Sequence, residues 1–272
     1  MVRIQHVSKS FEKKTDEKKK IFGKPETTKL GVLNDVTIRI EDNQFVCLLG
    51  KSGCGKSTLL NLLAGYIKAD NGRIWVNDKE INGPSATRGV VFQEHALFPW
   101  YTVRENIELG PKKIRKEANY KETTDRYLEM IGLKAYENYY PNQLSGGMKQ
   151  RVGIARAFAN SPDILLMDEP FSALDPDTRS MMQNELLNIW KIEKKTVIFI
   201  THSVSEAIKL ADKVVVLGGG HVLKEVSIDM ERPRDKQAPQ FIEYAKEFQR
   251  LIHGEDVPLG ETEEIKVGKE LA

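Results

Sequence analysis

Residues 50–57 read Gly-Lys-Ser-Gly-Cys-Gly-Lys-Ser, and this octapeptide constrains the chain more than any other segment. An unbroken apolar run, Phe45-Val46-Cys47-Leu48-Leu49, precedes it, and Thr58-Leu59-Leu60-Asn61-Leu62-Leu63 follows. A strand, a glycine-rich turn and a helix are the context that G-x-x-x-x-G-K-[ST] requires. The glycines let the backbone curl so that successive N–H groups point at phosphate oxygens. The helix N-terminus adds its partial positive charge. Gly50, Lys51, Ser52, Gly53, Cys54, Gly55, Lys56, Ser57 and Thr58 are therefore the expected phosphate cradle. Lys56 has the length to reach the β- and γ-phosphates, and the Ser57 hydroxyl is a ligand for Mg²⁺.

Three further apolar runs, Ile164–Met167, Val197–Ile200 and Val214–Leu217, alternate with helical patterns. Continuous Val/Ile/Leu runs separated by helices predict a parallel sheet covered on both faces. Val32 to Ile40 instead alternates apolar and polar residues, as a half-exposed antiparallel strand does. Arg73–Val76 reads as another short strand, and residues 94–160 as a mostly helical insertion. The predicted fold is α/β: a mainly parallel P-loop core, an N-terminal antiparallel β subdomain and an inserted helical subdomain. Residues 1–252 are expected to form one domain and 253–272 a mobile, acidic tail. Phe241, Tyr244, Ala245, Phe248, Leu251 and Ile252 recur at helical spacing, which fits a helix packed on the domain or on a partner.

A net charge of +2 over 272 residues lacks the basic excess of a dedicated nucleic-acid binder. No apolar run approaches the ~18–20 residues of a membrane span, and residues 1–6 carry no signal-peptide pattern. Cys47 and Cys54 match no metal spacing and suit a reducing compartment. The Lys-rich segment 13–20 reads as a solvated hairpin loop, with contact to anionic lipid as the alternative.

Two segments add chemistry. Asp163–Glu169 is an apolar strand ending in two carboxylates. Asp168 is placed to orient Mg²⁺ and Glu169 to polarise a water attacking the γ-phosphate. Acidic residues also simply terminate strands, so the upstream P-loop gives this segment its weight. Leu144-Ser145-Gly146-Gly147-Met148-Lys149-Gln150-Arg151 opens a second helix with Ser145 at its cap. Gly146 and Gly147 let an anion approach the backbone N–H groups there, which makes a second phosphate-binding surface.

With these motifs in this order, residues 1–252 resemble the nucleotide-binding subunit of an ATP-binding-cassette (ABC) transporter. The resemblance implies ATP and Mg²⁺ as ligands and several residue roles. Gln93 matches the glutamine that senses Mg²⁺ and joins the core to the helical subdomain. Asp175, in Ser172-Ala173-Leu174-Asp175, matches the loop that crosses the dimer interface. His202 matches the histidine that contacts the γ-phosphate, and Phe11 the aromatic that stacks on adenine. Glu169, His202, Lys56 and Gln93 are then the catalytic set, and Ser57, Gln93 and Asp168 the Mg²⁺ set. Two subunits are expected head to tail, each ATP lying between one P-loop and the opposite Ser145–Gly147 surface.

Leu97-Phe98-Pro99-Trp100 and Glu231-Arg232-Pro233-Arg234-Asp235 resemble segments of the nitrate, sulfonate and taurine importer ATPases. That branch implies membrane-spanning permease subunits, an external solute-binding protein and a peripheral position on the cytoplasmic face of the membrane. Phe98 and Trp100 fit either a packed ridge or a groove that receives a permease helix. A non-transport ABC-type ATPase is the alternative function. Ser203 and Met148 depart from the residues many relatives carry, Asp and Gln, and the 13–29 insertion exceeds the usual hairpin.

Overall fold

A computed structural model of the protein describes residues 1–14, 27–93 and 96–254. The expected hairpin loop, the acidic tail beyond Gly254, Glu94 and His95 lie outside the described residues.

Strands β1 (Val2–Lys14) and β2 (Thr27–Ile40) form an antiparallel ribbon, and β4 (Asn71–Val76) and β5 (Lys79–Glu80) extend it into a sheet ordered β2-β1-β4-β5. The second sheet is built from β3 (Phe45–Leu49), β6 (Arg88–Val91), β7 (Ile164–Asp168), β8 (Thr196–Thr201), β9 (Lys213–Gly218) and β10 (His221–Ser227). Its order is β10-β9-β3-β8-β7-β6, parallel except for the β10 edge.

Side chains alternate across a strand, so each buried run feeds two cores. Phe45, Cys47, Leu49, Leu165, Met167, Val197 and Phe199 pack against helices on one face. Val46, Leu48, Ile164, Leu166, Ile198 and Ile200 pack on the other, against the antiparallel sheet and α1 (Lys56–Ala64). A strand buried on both faces tolerates no polar position, which is why these runs are unbroken.

Between β6 and β7 lie α2 (Val103–Glu108), a π-helical turn at Leu109–Ile114, α3 (Tyr120–Met130) and α4 (Gly146–Ala159). Thr102 and Glu105 close a reciprocal capping box at the start of α2. Helix α5 (Pro176–Glu193) begins at the Asp175 cap with Pro176 at its first position. Then come α6 (Val204–Leu210) and α7 (Pro239–His253). The amphipathic reading of α7 holds: Phe241 and Phe248 are buried in the domain core. Arg234 is buried beside this helix, donating to the Ile208, Ala211, Met230 and Ile228 carbonyls. The Arg-Pro-Arg segment thus fastens the C-terminal end of α6.

Strand registers align the carboxyl ends of the parallel core: Leu49 pairs with Thr201, Asp168 with Ile200 and Val91 with Met167. The loops after β3, β6, β7 and β8 therefore leave the sheet on one side, where open α/β sheets place ligands.

Candidate functional site

The P-loop is the turn from β3 into α1. Gly55 sits at φ 103°, in the left-handed region, and a Cβ there would lie 2.6 Å from Leu33 and 2.9 Å from the Val32 carbonyl. A Cβ on Gly50 would lie 2.3 Å from the Leu217 carbonyl. Both positions admit only glycine, because β2 and β9 press on the loop from either side. Lys56 is buried, and its ammonium donates to the carbonyls of Gly50 at 2.7 Å and Lys51 at 2.9 Å. The loop is thereby wound around its own cation. Cys54 is also buried, with its sulfur 3.9 Å from that ammonium.

Ser57 Oγ donates to Asp168 Oδ1 at 3.3 Å, joining the first turn of α1 to the end of β7. Burial pushes the Asp168 carboxyl above its ordinary range; the Ser57 hydrogen bond opposes this, nearby Glu169 adds to it, and Lys56 opposes it. Glu169 follows at φ 43°, a strained conformation for a non-glycine residue. Two contacts hold it there: its N–H donates to the Ile200 carbonyl at 3.1 Å, and its Oε2 meets His202 Nδ1 at 3.0 Å. Val32, Ser52, Gly53, Gly55, Lys56, Ser57, Thr58 and Glu169 line one cavity of about 240 Å³. That is smaller than the ~300–1,000 Å³ of pockets that enclose a drug-sized ligand.

Ser145, Gly146 and Gly147 line a different cavity, together with Asp175, Thr178 and Met181. Ser145 caps α4 by accepting from the Met148 N–H at 3.3 Å, and Asp175 caps α5 by accepting from the Thr178 N–H at 3.0 Å. Each therefore has a structural task besides any contact with a ligand. Hydrogen bonds from the start of α5 hold the Asp175 carboxyl below its ordinary range.

Two expected residues neither line one of these cavities nor bond to a side chain that does. Gln93, exposed two residues beyond β6, makes no hydrogen bond with Ser57 or Asp168. Phe11 is 42 % exposed on β1, with its ring 5.6 Å from the Lys9 ammonium. Sequence reasoning also overlooked some neighbours of the site. Val32 walls the P-loop cavity, Thr178 lies against Gly147, and the Ile200 carbonyl holds Glu169. No sequence signal marks them, because each acts through a contact between distant segments.

The arrangement is that of a nucleotide-triphosphate-hydrolysing cassette. Residues 33–172 match the ABC transporter family, and the chain belongs to that family. It is an ABC-type ATPase. The chain is 44 % identical over 224 residues to the aliphatic sulfonates import ATP-binding protein of Bacillus licheniformis, covering 82 % of this chain and 87 % of that one. It is 40 % identical over 253 residues to the taurine import ATP-binding protein of Jannaschia sp., covering 89 % and 94 %. It is 43 % identical over 247 residues to the nitrate import ATP-binding protein of Synechocystis sp., covering 86 % and 91 %. Among solved structures, a dimeric post-hydrolysis state of the ATP-binding cassette MJ0796 bound to ADP and Pi matches with a TM-score of 0.70 and 31 % identity. That match covers 85 % of this chain and all of the other.

Proposed function

We propose that this protein is the ATP-hydrolysing subunit of an importer for a small anionic or sulfonate-bearing solute, such as nitrate, a sulfonate or taurine. The observation that carries the reading is the division of the nucleotide site. The P-loop and Glu169 line one cavity and the Ser145–Gly147 surface and Asp175 line another, which supports reading each as half a site. Two chains packed head to tail complete both sites, with Asp175 beside the junction.

ATP entering the P-loop draws the Lys56 ammonium from the Gly50 and Lys51 carbonyls to its β- and γ-phosphates. Lys51, Ser52, Gly53, Cys54 and Gly55 present backbone N–H groups to the same phosphates, and Phe11 is the stacking surface for adenine. Ser57 and Asp168 offer hard oxygen donors 3.3 Å apart, which fits Mg²⁺ bound by one carboxylate, one hydroxyl and phosphate oxygens. Mg²⁺ held by Ser57 and Asp168 would supply positive charge against the phosphate oxygens. Gln93, two residues beyond β6, would complete this set. Glu169 orients the attacking water and accepts its proton, and His202 turns from Glu169 to the γ-phosphate. Water oxygen bonds to γ-phosphorus, the bond to the ADP oxygen breaks, and Ser145–Gly147 of the second subunit loses its phosphate contact. A differential of ~5.5 kcal/mol between closed and open dimers suffices to switch a population from 1:99 to 99:1.

The partner that turns this switch into transport is a permease, with an external solute-binding protein delivering the solute. Among the described residues, no helix is long and apolar enough to cross a membrane, which fits a peripheral subunit on the cytoplasmic face. The loop Phe98–Tyr101 is the proposed docking ridge. Trp100 is 66 % exposed and leans on Phe98, whose ring lies under the Arg156 guanidinium. The import relatives favour this reading over a non-transport ATPase. The test is reconstitution of the chain with its co-expressed permease and solute-binding protein in vesicles. Nitrate, an alkanesulfonate or taurine is expected to stimulate ATP hydrolysis and to enter the vesicle. Stimulation by none of them would overturn the substrate assignment.

A further inference from the structure

His202 is an exposed imidazole, with 62 % of its side chain open to solvent, and among the described residues its one side-chain hydrogen bond goes to Glu169. Its backbone, by contrast, is fastened on both sides. Thr201, the last residue of β8, donates from Oγ1 to Glu206 Oε2 at 2.5 Å. The same Oγ1 accepts from the Ser203 N–H at 3.0 Å. Ser203 Oγ in turn accepts from the Glu206 N–H at 3.3 Å, capping α6. The residues before and after His202 thus both bond Glu206, Thr201 at its carboxylate and Ser203 at its backbone N–H.

That carboxylate is unusual in its setting. Glu206 is 7 % exposed, and among the described residues it forms no ion pair. A buried carboxylate needs its acceptors satisfied. Its second oxygen, Oε1, accepts from Gln183 Nε2 of α5 at 2.8 Å, and Gln183 is buried too. None of the three side chains lines the P-loop cavity. Their hydrogen bonds reach the nucleotide site through the Thr201–Ser203 segment they clamp.

We infer that Thr201, Glu206 and Gln183 are positioning residues for His202, a unit that sets the imidazole's reach to the γ-phosphate. The inference rests on the reading of His202 given above. Misplacing a catalytic group by about 1 Å can cost on the order of 10²-fold in rate. Loosening the clamp therefore slows hydrolysis while nucleotide binding, which the P-loop performs, persists.

The test is a double-mutant cycle in the purified full-length chain, with ATP affinity and hydrolysis measured separately. Thr201→Val keeps the side-chain shape and removes the hydroxyl. It is expected to slow hydrolysis roughly 10- to 100-fold with ATP affinity within about two-fold of normal. Thr201→Ser restores the hydroxyl and should restore the rate. In a His202→Ala background, Thr201→Val should slow the residual hydrolysis no further. An equal slowing in that background, or a normal rate for Thr201→Val alone, would overturn the inference. A normal rate for His202→Ala would instead remove the role of His202 itself. If Thr201→Val binds no nucleotide, Gln183→Leu takes its place under the same criteria: slower hydrolysis that vanishes with His202→Ala supports the unit, and an unchanged rate overturns it.

Discussion

Glu169 occupies a left-handed backbone conformation that a residue with a side chain adopts at a cost of about 1–3 kcal/mol. The strain aims its carboxylate into the P-loop cavity and at His202. Glu169→Gln keeps the shape and loses the proton acceptor. It should retain ATP binding, accumulate an ATP-bound dimer on gel filtration, and hydrolyse roughly 10²–10⁴-fold more slowly. Asp168 makes the opposite bargain between stability and chemistry. Burial raises its carboxyl, so the folded state holds the proton more tightly than the unfolded state does. Ionised Asp168 therefore destabilises the free protein at neutral pH, and this penalty disappears as pH falls below the ordinary carboxylate value of about 3.9. Asp168→Asn should raise the melting temperature of the nucleotide-free protein at pH 7 and leave it unchanged near pH 3. Mg²⁺-dependent hydrolysis should be lost. A lower melting temperature at pH 7 would contradict the assignment.

The loop between β6 and α2 shows how an element holds an exposed aromatic without burying it. Asn106, on α2, is fully buried against this loop. Its Nδ2 donates to the carbonyls of Phe98, Tyr101 and Thr102, and its Oδ1 accepts from the Phe98 N–H. This one amide thus makes four of the hydrogen bonds that shape the loop, and Trp100 rides on top with its ring 5.7 Å from Phe98. The two residues should separate cleanly on substitution. Asn106→Ala leaves buried backbone groups without partners at about 1–3 kcal/mol apiece, so the melting temperature should drop. Trp100→Ala should leave the melting temperature and ATP affinity unchanged. If the ridge docks a permease, it should cost on the order of 2–4 kcal/mol of that binding and lower permease-stimulated hydrolysis. Thermal melts beside permease pull-downs read both effects.

At the scale of the whole molecule, a head-to-tail pair makes a prediction that no single chain could. In the proposed pair, each site would take its P-loop from one subunit and its Ser145–Gly147 surface from the other. Chains carrying Lys56→Ala should complement chains carrying Ser145→Arg, because their heterodimer retains one intact site. A chain carrying both substitutions, paired with a wild-type chain, retains none. Hydrolysis by isolated, differently tagged heterodimers distinguishes the cases. Equal rates in the two would rule out the shared site.

Much of this was legible in the chain of letters. The P-loop, the Asp168–Glu169 pair and the Leu144–Arg151 segment are each contiguous, so their chemistry is written in order. The apolar runs disclosed the parallel core, because a strand covered on both faces admits no polar position. The helix α7 was visible in its 3.6-residue period, with Phe241 and Phe248 two turns apart on its buried face. Other features had no local signature. Glu206 lies in a seven-residue helix and looks like any surface acid until α5 closes over it with Gln183. Val32 walls the nucleotide cavity only because β2 lies against Gly55, and Glu169 is held by a carbonyl from the neighbouring strand. Sequence alone determined which groups this protein possesses and which backbone turns present them, since propensity and motif spacing act over a few residues. Tertiary structure decided which groups meet and which do not, above all that the P-loop and the Ser145–Gly147 surface line separate cavities. Such distances depend on how helices pack on a sheet, through contacts between residues tens to hundreds of positions apart.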